Sequence, residues 1–155
     1  MREYRPNLQE MGISKWAYEE LRAFCRQYPE KKAQAAALLG IRGRSRVQEA
    51  KDERGHEIGV VMPPTVRISS PTAEAAIKRV MLLKDCDMID CVARMVDDGQ
   101  WERALILNCC YGVGYDFIDQ AILPTSGRNA YFAARREFFF RLYNERILQR
   151  QECDR

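Results

Sequence analysis

Apolar residues recur three and four positions apart over most of this chain, the spacing of amphipathic helices rather than strands. The first stripe is Ala17, Leu21, Phe24 and Tyr28. Ser14 stands where a helix needs an N-cap, because its hydroxyl can accept from an otherwise unpaired first-turn amide. Residues 1–13 then read as an extended lead-in ending at Gly12. Pro29 suits the first turn of a second helix, where its missing N–H costs nothing. The alanine-rich run over 30–39 has high helix propensity, and Gly40 ends it. Residues 1–40 are thus expected to form an N-terminal helical hairpin.

Residues 41–69 lose this period. They hold Gly43, Gly55, Gly59, Pro63 and Pro64 and predict a long irregular linker. Val60-Val61 and Val66-Arg67-Ile68 could form short strands, giving a weak β-hairpin. Arg42, Arg44 and Arg46 alternate at its start and could line a phosphate backbone, although a solvated loop explains them equally well. His56 is expected to stand in this loop without a partner.

The helical period returns after Ser70, a cap, and Pro71, a first-turn residue. The helix is expected to reach Val96 with two apolar edges. One runs through Ala73, Ile77, Val80, Met88, Cys91 and Met95, the other through Leu82, Cys86, Ile89, Ala93 and Val96. So wide an apolar arc predicts packing on two sides, as a central strut or a subunit interface, which leaves room for a homodimer. Asp97-Asp98-Gly99 breaks the helix. A helix over 100–110 follows, with Trp101, Leu105 and Cys109 on one side, then a turn at 111–114, a short helix at 115–121, a turn at 122–125 and a long helix over 126–149. The expected fold is all-α: a helical bundle with a C-terminal helix-turn-helix and a long irregular loop between its halves. Residues 70–155 form the second helical domain, with the helix-turn-helix at about 100–149.

Composition narrows the class. With 46% hydrophobic and 30% charged residues, the chain has enough apolar surface for a core and no long uncharged run. Met1-Arg2-Glu3-Tyr4-Arg5 leads into no apolar segment of the signal-peptide kind, so a cytoplasmic location with reduced thiols is expected. The six cysteines contain no C-x-x-C pair and have a single histidine to accompany them. Neither zinc nor a disulfide framework is expected, and four of the thiols should be small buried hydrophobes. Charge is uneven: residues 1–71 carry 13 basic and 9 acidic groups, 72–120 carry 5 and 9, and 121–155 carry 7 and 4. Basic ends hint weakly at an anionic partner, although on charge alone ordinary surface charge explains them better.

Little points to catalysis. Asp85, Asp87, Asp90, Asp97, Asp98, Asp116 and Asp119 lack the companions of a metal-dependent hydrolase, and a solvated helix face explains them better. Gly112-Val113-Gly114 lacks the strand, the third glycine and the Lys-Ser/Thr of a phosphate loop, and reads as a turn. No nucleophile triad can be built on one loop histidine. A non-enzymatic protein with no cofactor and no metal is expected.

The helix-turn-helix supplies the candidate site. Ser126 would cap the last helix, placing Arg128 and Asn129 in the first turn, where a recognition helix meets base edges. Arg128 suits guanine and Asn129 adenine by bidentate geometry. Arg135, Arg136 and Arg141 could meet phosphates. Phe138, Phe139 and Phe140 cannot share one face, because successive helical residues turn by about 100°. A core helix with solvated arginines accounts for Phe138, Phe139 and Leu142.

The stretch from Leu123-Pro124 through Ser126-Gly127-Arg128-Asn129, the aromatic pair Tyr131-Phe132, and Arg135-Arg136-Glu137-Phe138-Phe139-Phe140-Arg141 resembles phage late-gene transcription regulators of the RinA/ArpU type. Their C-terminal part is similar to the promoter-reading domain of sigma factors. Tyr28-Pro29-Glu30 and Ser70-Pro71-Thr72 look similar too, and residues 111–142 match best. Ala121-Ile122 is more apolar than the family's turn. The resemblance implies a sequence-specific DNA-binding regulator of phage or prophage origin that binds double-stranded DNA, with RNA polymerase or another host protein as a second candidate partner and with Tyr131 and Phe132 in the DNA-binding set. The competing expectation is a phage accessory protein that acts by binding protein, either a counter-defence inhibitor such as an anti-CRISPR or a small packaging subunit.

Overall fold

The Ser14 hydroxyl accepts from the Ala17 amide at 3.1 Å and starts helix α1, Lys15–Arg26. A computed structural model of the protein describes residues 7–38, 46–62 and 73–154. The described part of the lead-in is folded rather than extended. Asn7 and Glu10 exchange hydrogen bonds, each side chain accepting from the other's amide at 3.0 Å, and the Ile13 amide donates to the Leu8 carbonyl at 2.9 Å. This reciprocal pairing works as a capping box does, and Ile13 ends up buried. After the single junction residue Gln27, α2 covers Tyr28–Ala37 with Pro29 in its first turn.

The protein is mainly helical, but the all-α expectation needs correcting. Strands β1, Arg46–Lys51, and β2, Glu57–Met62, pair antiparallel from Arg46 opposite Met62 to Lys51 opposite Glu57. β2 contains the expected Val60-Val61. Its partner is the polar segment before it, while Val66-Arg67-Ile68 lies outside the described residues. The turn explains the pairing: one Asp52 carboxylate oxygen accepts from the amides of both Arg54 and His56 at 2.9 Å, and Gly55 takes φ +81°. His56 is therefore not alone, since its Nδ1 lies 3.6 Å from the Asp52 carboxylate. Val60 is buried, whereas Val47 and Val61 on the opposite face are exposed.

Helix α3, Ala73–Met95, buries one of its two apolar edges, through Cys86, Ile89, Val92, Ala93 and the following Val96. Ile77, Val80 and Met95 on the other edge are exposed among the described residues, while Met88 of that edge packs half-buried against the core. Its carboxylates are not simply solvated. Asp90 accepts from the Tyr28 hydroxyl at 2.8 Å and from Lys32 Nζ at 3.3 Å, and Asp85 pairs with Lys31. These contacts fasten α2 along α3. Ser70 and Pro71, the expected helix start, lie outside the described residues.

The break after α3 is a left-handed turn. Asp97, Asp98 and Gly99 all have positive φ, at 51°, 57° and 82°. Asp97 repays the strain by accepting from Trp101 Nε1 at 3.0 Å. Helix α4, Glu102–Leu105, runs straight into a wider, π-type turn, Ile106–Cys110. Trp101, Leu105 and Cys109 are buried together, as their spacing predicts.

The helix expected over 115–121 is absent. Only Tyr115–Phe117 forms a 3-10 turn, and Ile118 is extended and buried. The Asp119 carboxylate then accepts from the Ala121 amide at 2.9 Å, a local turn that competes with helix propagation. Helix α5, Arg128–Cys153, starts two residues later than expected. Its cap is Gly127, at φ +87°, and no side chain caps it, so Ser126 does not play that part. An irregular connection over 111–127 therefore separates α4 from α5, where a helix-turn-helix would place a short helix and a tight turn.

Leu21, Phe24 and Cys25 of α1, Tyr28 of α2, Val60 of the hairpin, the buried edge of α3, and Phe138, Phe139 and Leu142 of α5 belong to one core. Cys25, Cys86, Cys109 and Cys110 are buried in it and Cys91 and Cys153 are exposed, all as free thiols. Burial pushes the Cys86 thiol up to about 11 and the Cys109 thiol up to about 12. Among the described residues no helix is long and apolar enough to cross a membrane.

Candidate nucleic-acid interface

Arg128, Phe132 and Arg135 stand four and three residues apart, so the first two turns of α5 present them on one face. Opposite that face, Tyr18 and Arg22 project from successive turns of α1. The π-type turn after α4 contributes Asn108, the connection contributes Tyr115, Asp116 and Phe117, and the hairpin turn contributes Glu53. Together with Gly114 these residues enclose a cleft of about 330 Å³, within the range of small-ligand pockets.

Gly114 makes the cleft possible. A Cβ there would lie 3.0 Å from the Asp52 carbonyl oxygen, 3.1 Å from Glu53 Cα and 3.1 Å from the Phe117 ring. Its amide donates to the Lys51 carbonyl at 3.2 Å. Only a glycine lets the hairpin turn close one wall of the cleft against the connection.

The arginines differ in their surroundings. Arg128 Nη1 donates to Asp116 at 2.5 Å, and its guanidinium lies 5.4 Å from both the Tyr115 and the Phe132 ring centres. Arg135 is half-buried. Its Nε donates to Asn108 Oδ1 at 3.1 Å, and its guanidinium lies 5.1 Å from the Phe139 ring centre. Burial works against the charge of Arg135, but Cys109, Tyr18 and Tyr131 around it hold its pKa above the ordinary value. Arg22 lies 5.8 Å from the Tyr18 ring centre. Among the described residues neither Arg22 nor Arg135 forms an ion pair, so two guanidinium groups face the cleft without a carboxylate partner.

The lining rings Tyr115 and Phe132 rest on buried rings beneath them. Tyr115 lies 4.8 Å from Tyr131 and 5.9 Å from Phe132, and Trp101 meets Tyr131 edge-on at 5.8 Å. The Tyr131 hydroxyl is buried with no hydrogen-bond partner, and burial raises its pKa strongly. Flat π-faces beside guanidinium groups that no carboxylate neutralises suit a ligand that is both planar and anionic.

The sequence-predicted residues divide accordingly. Arg128, Phe132 and Arg135 come together in the cleft. Tyr131 is fully buried beneath the lining rings Tyr115 and Phe132, so it cannot touch a duplex directly. Asn129 is exposed in the first turn of α5 and Ser126 is exposed ahead of it. Arg136 is half-buried outside the cleft, and exposed Arg141 pairs with Glu137 at 2.9 Å. Arg42 and Arg44 lie outside the described residues, and Arg46 contributes its backbone to β1. Tyr18, Arg22, Asn108, Tyr115 and Phe117 were not legible as site residues. The Tyr18–Arg22 pair, one turn apart on α1, was the one local signal. Among the described residues no group of three or more His, Cys, Asp or Glu side chains could hold a metal ion. Comparison with known proteins finds no matching family model, no significantly similar curated protein and no significantly similar solved structure.

Proposed function

We propose that this protein binds DNA, without catalysing a reaction, and that the cleft at the start of α5 takes a base standing out of the stack together with its flanking phosphate. The observation that carries this reading is the pair of guanidinium groups, Arg22 and Arg135, that have no carboxylate partner among the described residues and line the same cleft as Tyr115, Phe117 and Phe132. Guanidinium groups bind phosphate oxygens by bidentate hydrogen bonds, and base–ring stacking tolerates any sequence because every base has a π-face. A mode of this kind differs from reading a major groove with the first turn of a helix. Arg128 is turned onto Asp116 and two rings, and would have to leave them to reach a base edge.

The role we propose is transcription regulation of the phage type, in keeping with the resemblance of residues 111–142 to RinA/ArpU regulators. A promoter being opened offers the unstacked bases that this cleft would accept. Fluorescence anisotropy with three labelled DNAs of the same sequence tests the reading: a single strand, a duplex and a duplex with a central unpaired bubble. The single strand and the bubble should bind at least about tenfold more tightly than the duplex, a difference of about 1.4 kcal/mol. Equal affinity for all three would return the reading to groove or backbone contacts, and no binding to any would leave the protein-binding alternative.

A further inference from the structure

On the exposed side of α3, Ile77, Met81, Lys84, Met88, Cys91 and Met95 follow one another at alternating steps of four and three. That is the a/d spacing of a coiled-coil seam, and a helix keeps such a seam facing a partner helix. Of the residues that α3 buries in its own core, Cys86, Ile89 and Ala93 lie on the opposite side, whereas Val92 and half-buried Met88 reach the core beside the seam; Ile77, Met81, Lys84, Cys91 and Met95 are exposed. Ile77 is 63% and Met81 71% exposed, which is unusual for large apolar side chains placed in register.

We infer that a second copy of this chain docks along this seam, with the two α3 helices antiparallel. Charge selects both the occupant and the direction. Asp85 and Asp90 are taken by Lys31, Lys32 and Tyr28 of their own chain, and Arg94 by Glu102, which leaves Lys84 in the seam and Asp87 beside it without ion pairs among the described residues. Antiparallel copies bring Lys84 of each towards Asp87 of the other, with their helix dipoles opposed. A parallel pair would instead set Lys84 against its own copy in the middle of the seam. In the antiparallel pair Lys84 faces Met88 of the second copy, beside that copy's Asp87, which has no ion-pair partner among the described residues of its own chain. Ile77 then meets Met95, and Met81 meets Cys91. A groove of about 430 Å³ opens beside Met95, with Phe140 and Asn144 in its wall, and gives the incoming N-terminal end of α3 a place to lie. The inference is independent of the DNA-binding reading, because the seam shares no residue with the cleft.

Cysteine crosslinking in the full chain tests both occupant and direction. Exposed Cys153 is first replaced by serine, leaving Cys91 as the one exposed thiol among the described residues. Under mild oxidation Cys153→Ser alone should stay monomeric on a non-reducing gel. Adding Met81→Cys should give a covalent dimer, because Cys91 faces position 81 of the other copy. A covalent dimer from Cys153→Ser alone would overturn the antiparallel direction. No crosslink with Met81→Cys, together with a monomeric mass by sedimentation at about 100 µM, would overturn the dimer. Met81→Glu, a change at an exposed site that should leave the fold intact by circular dichroism, should weaken self-association at least tenfold. Unchanged association in that variant would place the interface elsewhere.

Discussion

Asn108 joins Arg135 to the chain reversal after α4: its Oδ1 accepts from Arg135 Nε at 3.1 Å while its Nδ2 donates to the Val113 carbonyl at 2.9 Å. Asn108 is the buried polar residue of the core, and these two bonds satisfy both ends of its amide. An arginine that helical spacing alone would leave on a solvated face is thereby held at the cleft. Asn108→Leu removes both bonds at once, leaving the buried Val113 carbonyl without this donor and taking one acceptor from the half-buried Arg135 guanidinium. It should destabilise the fold by about 2–4 kcal/mol, read as a lower urea midpoint at unchanged slope. A loss under about 0.5 kcal/mol would mean that water replaces the amide and that Asn108 does not position Arg135.

Stability should fall at alkaline pH. Burial holds Cys86 up to about 11 and Cys109 up to about 12, against 9.0 for the unperturbed thiol. Between pH 9 and 11 the unfolded chain therefore releases thiol protons that the folded chain keeps. The stabilisation is complete below pH 9 and is lost as pH rises through the folded values. Tyr28, Tyr111 and Tyr131, also raised first by burial, act in the same sense. Urea midpoints should be flat from pH 7 to 8.5 and drop from pH 9 to 11. A rise over that interval would contradict the buried placement of these groups.

The left-handed turn after α3 separates two neighbouring aspartates. Asp98 is exposed at φ 57°, a conformation that glycine adopts without a Cβ penalty. Asp98→Gly should be neutral or stabilise by up to about 1 kcal/mol in thermal unfolding. Asp97→Gly relieves the same strain but gives up the bond to Trp101 Nε1, so it should be the less stable of the two by about 1 kcal/mol. The reverse order would show that the indole bond carries no weight.

Phe117 lines the cleft and is 42% exposed, so it can be truncated without opening the core. If a base stacks there, Phe117→Ala should cost about 1–3 kcal/mol of single-strand affinity. Its effect on the urea midpoint should be small. Loss of stability without loss of affinity would make the ring a support for the hairpin rather than a stacking surface.

Periodicity made the helices readable. The Ser14 cap, Pro29 in a first turn and the apolar arc ending at Val96 each express a local rule, and α1, α2 and α3 follow them. Residues 46–51 carry no apolar alternation, so β1 was invisible until Asp52 and Gly55 folded the turn that pairs it with β2. Residues 115–121 have helix-compatible side chains, yet Ile118 is drawn into the core in an extended conformation and Asp119 caps a turn of its own. The cleft was the least legible part. Arg128, Phe132 and Arg135 share a visible helical face, but what they face comes from α1, the hairpin turn and Asn108, and only the tertiary fold sets those distances. Arg135 carries the same charge as Arg136. Its different surroundings come from Asn108, far away in sequence.

The most direct test of the account is the affinity of the Arg22→Ala protein for a single-stranded oligonucleotide, followed across salt concentration. Arg22 is partly exposed and forms no ion pair among the described residues, so the variant should stay folded. Affinity should fall about five- to tenfold at moderate salt. The slope of log affinity against log salt should flatten by about 0.7, the loss of one phosphate contact on a single strand. Affinity and slope equal to those of the unaltered protein, with the fold intact, would contradict the claim that this cleft binds DNA.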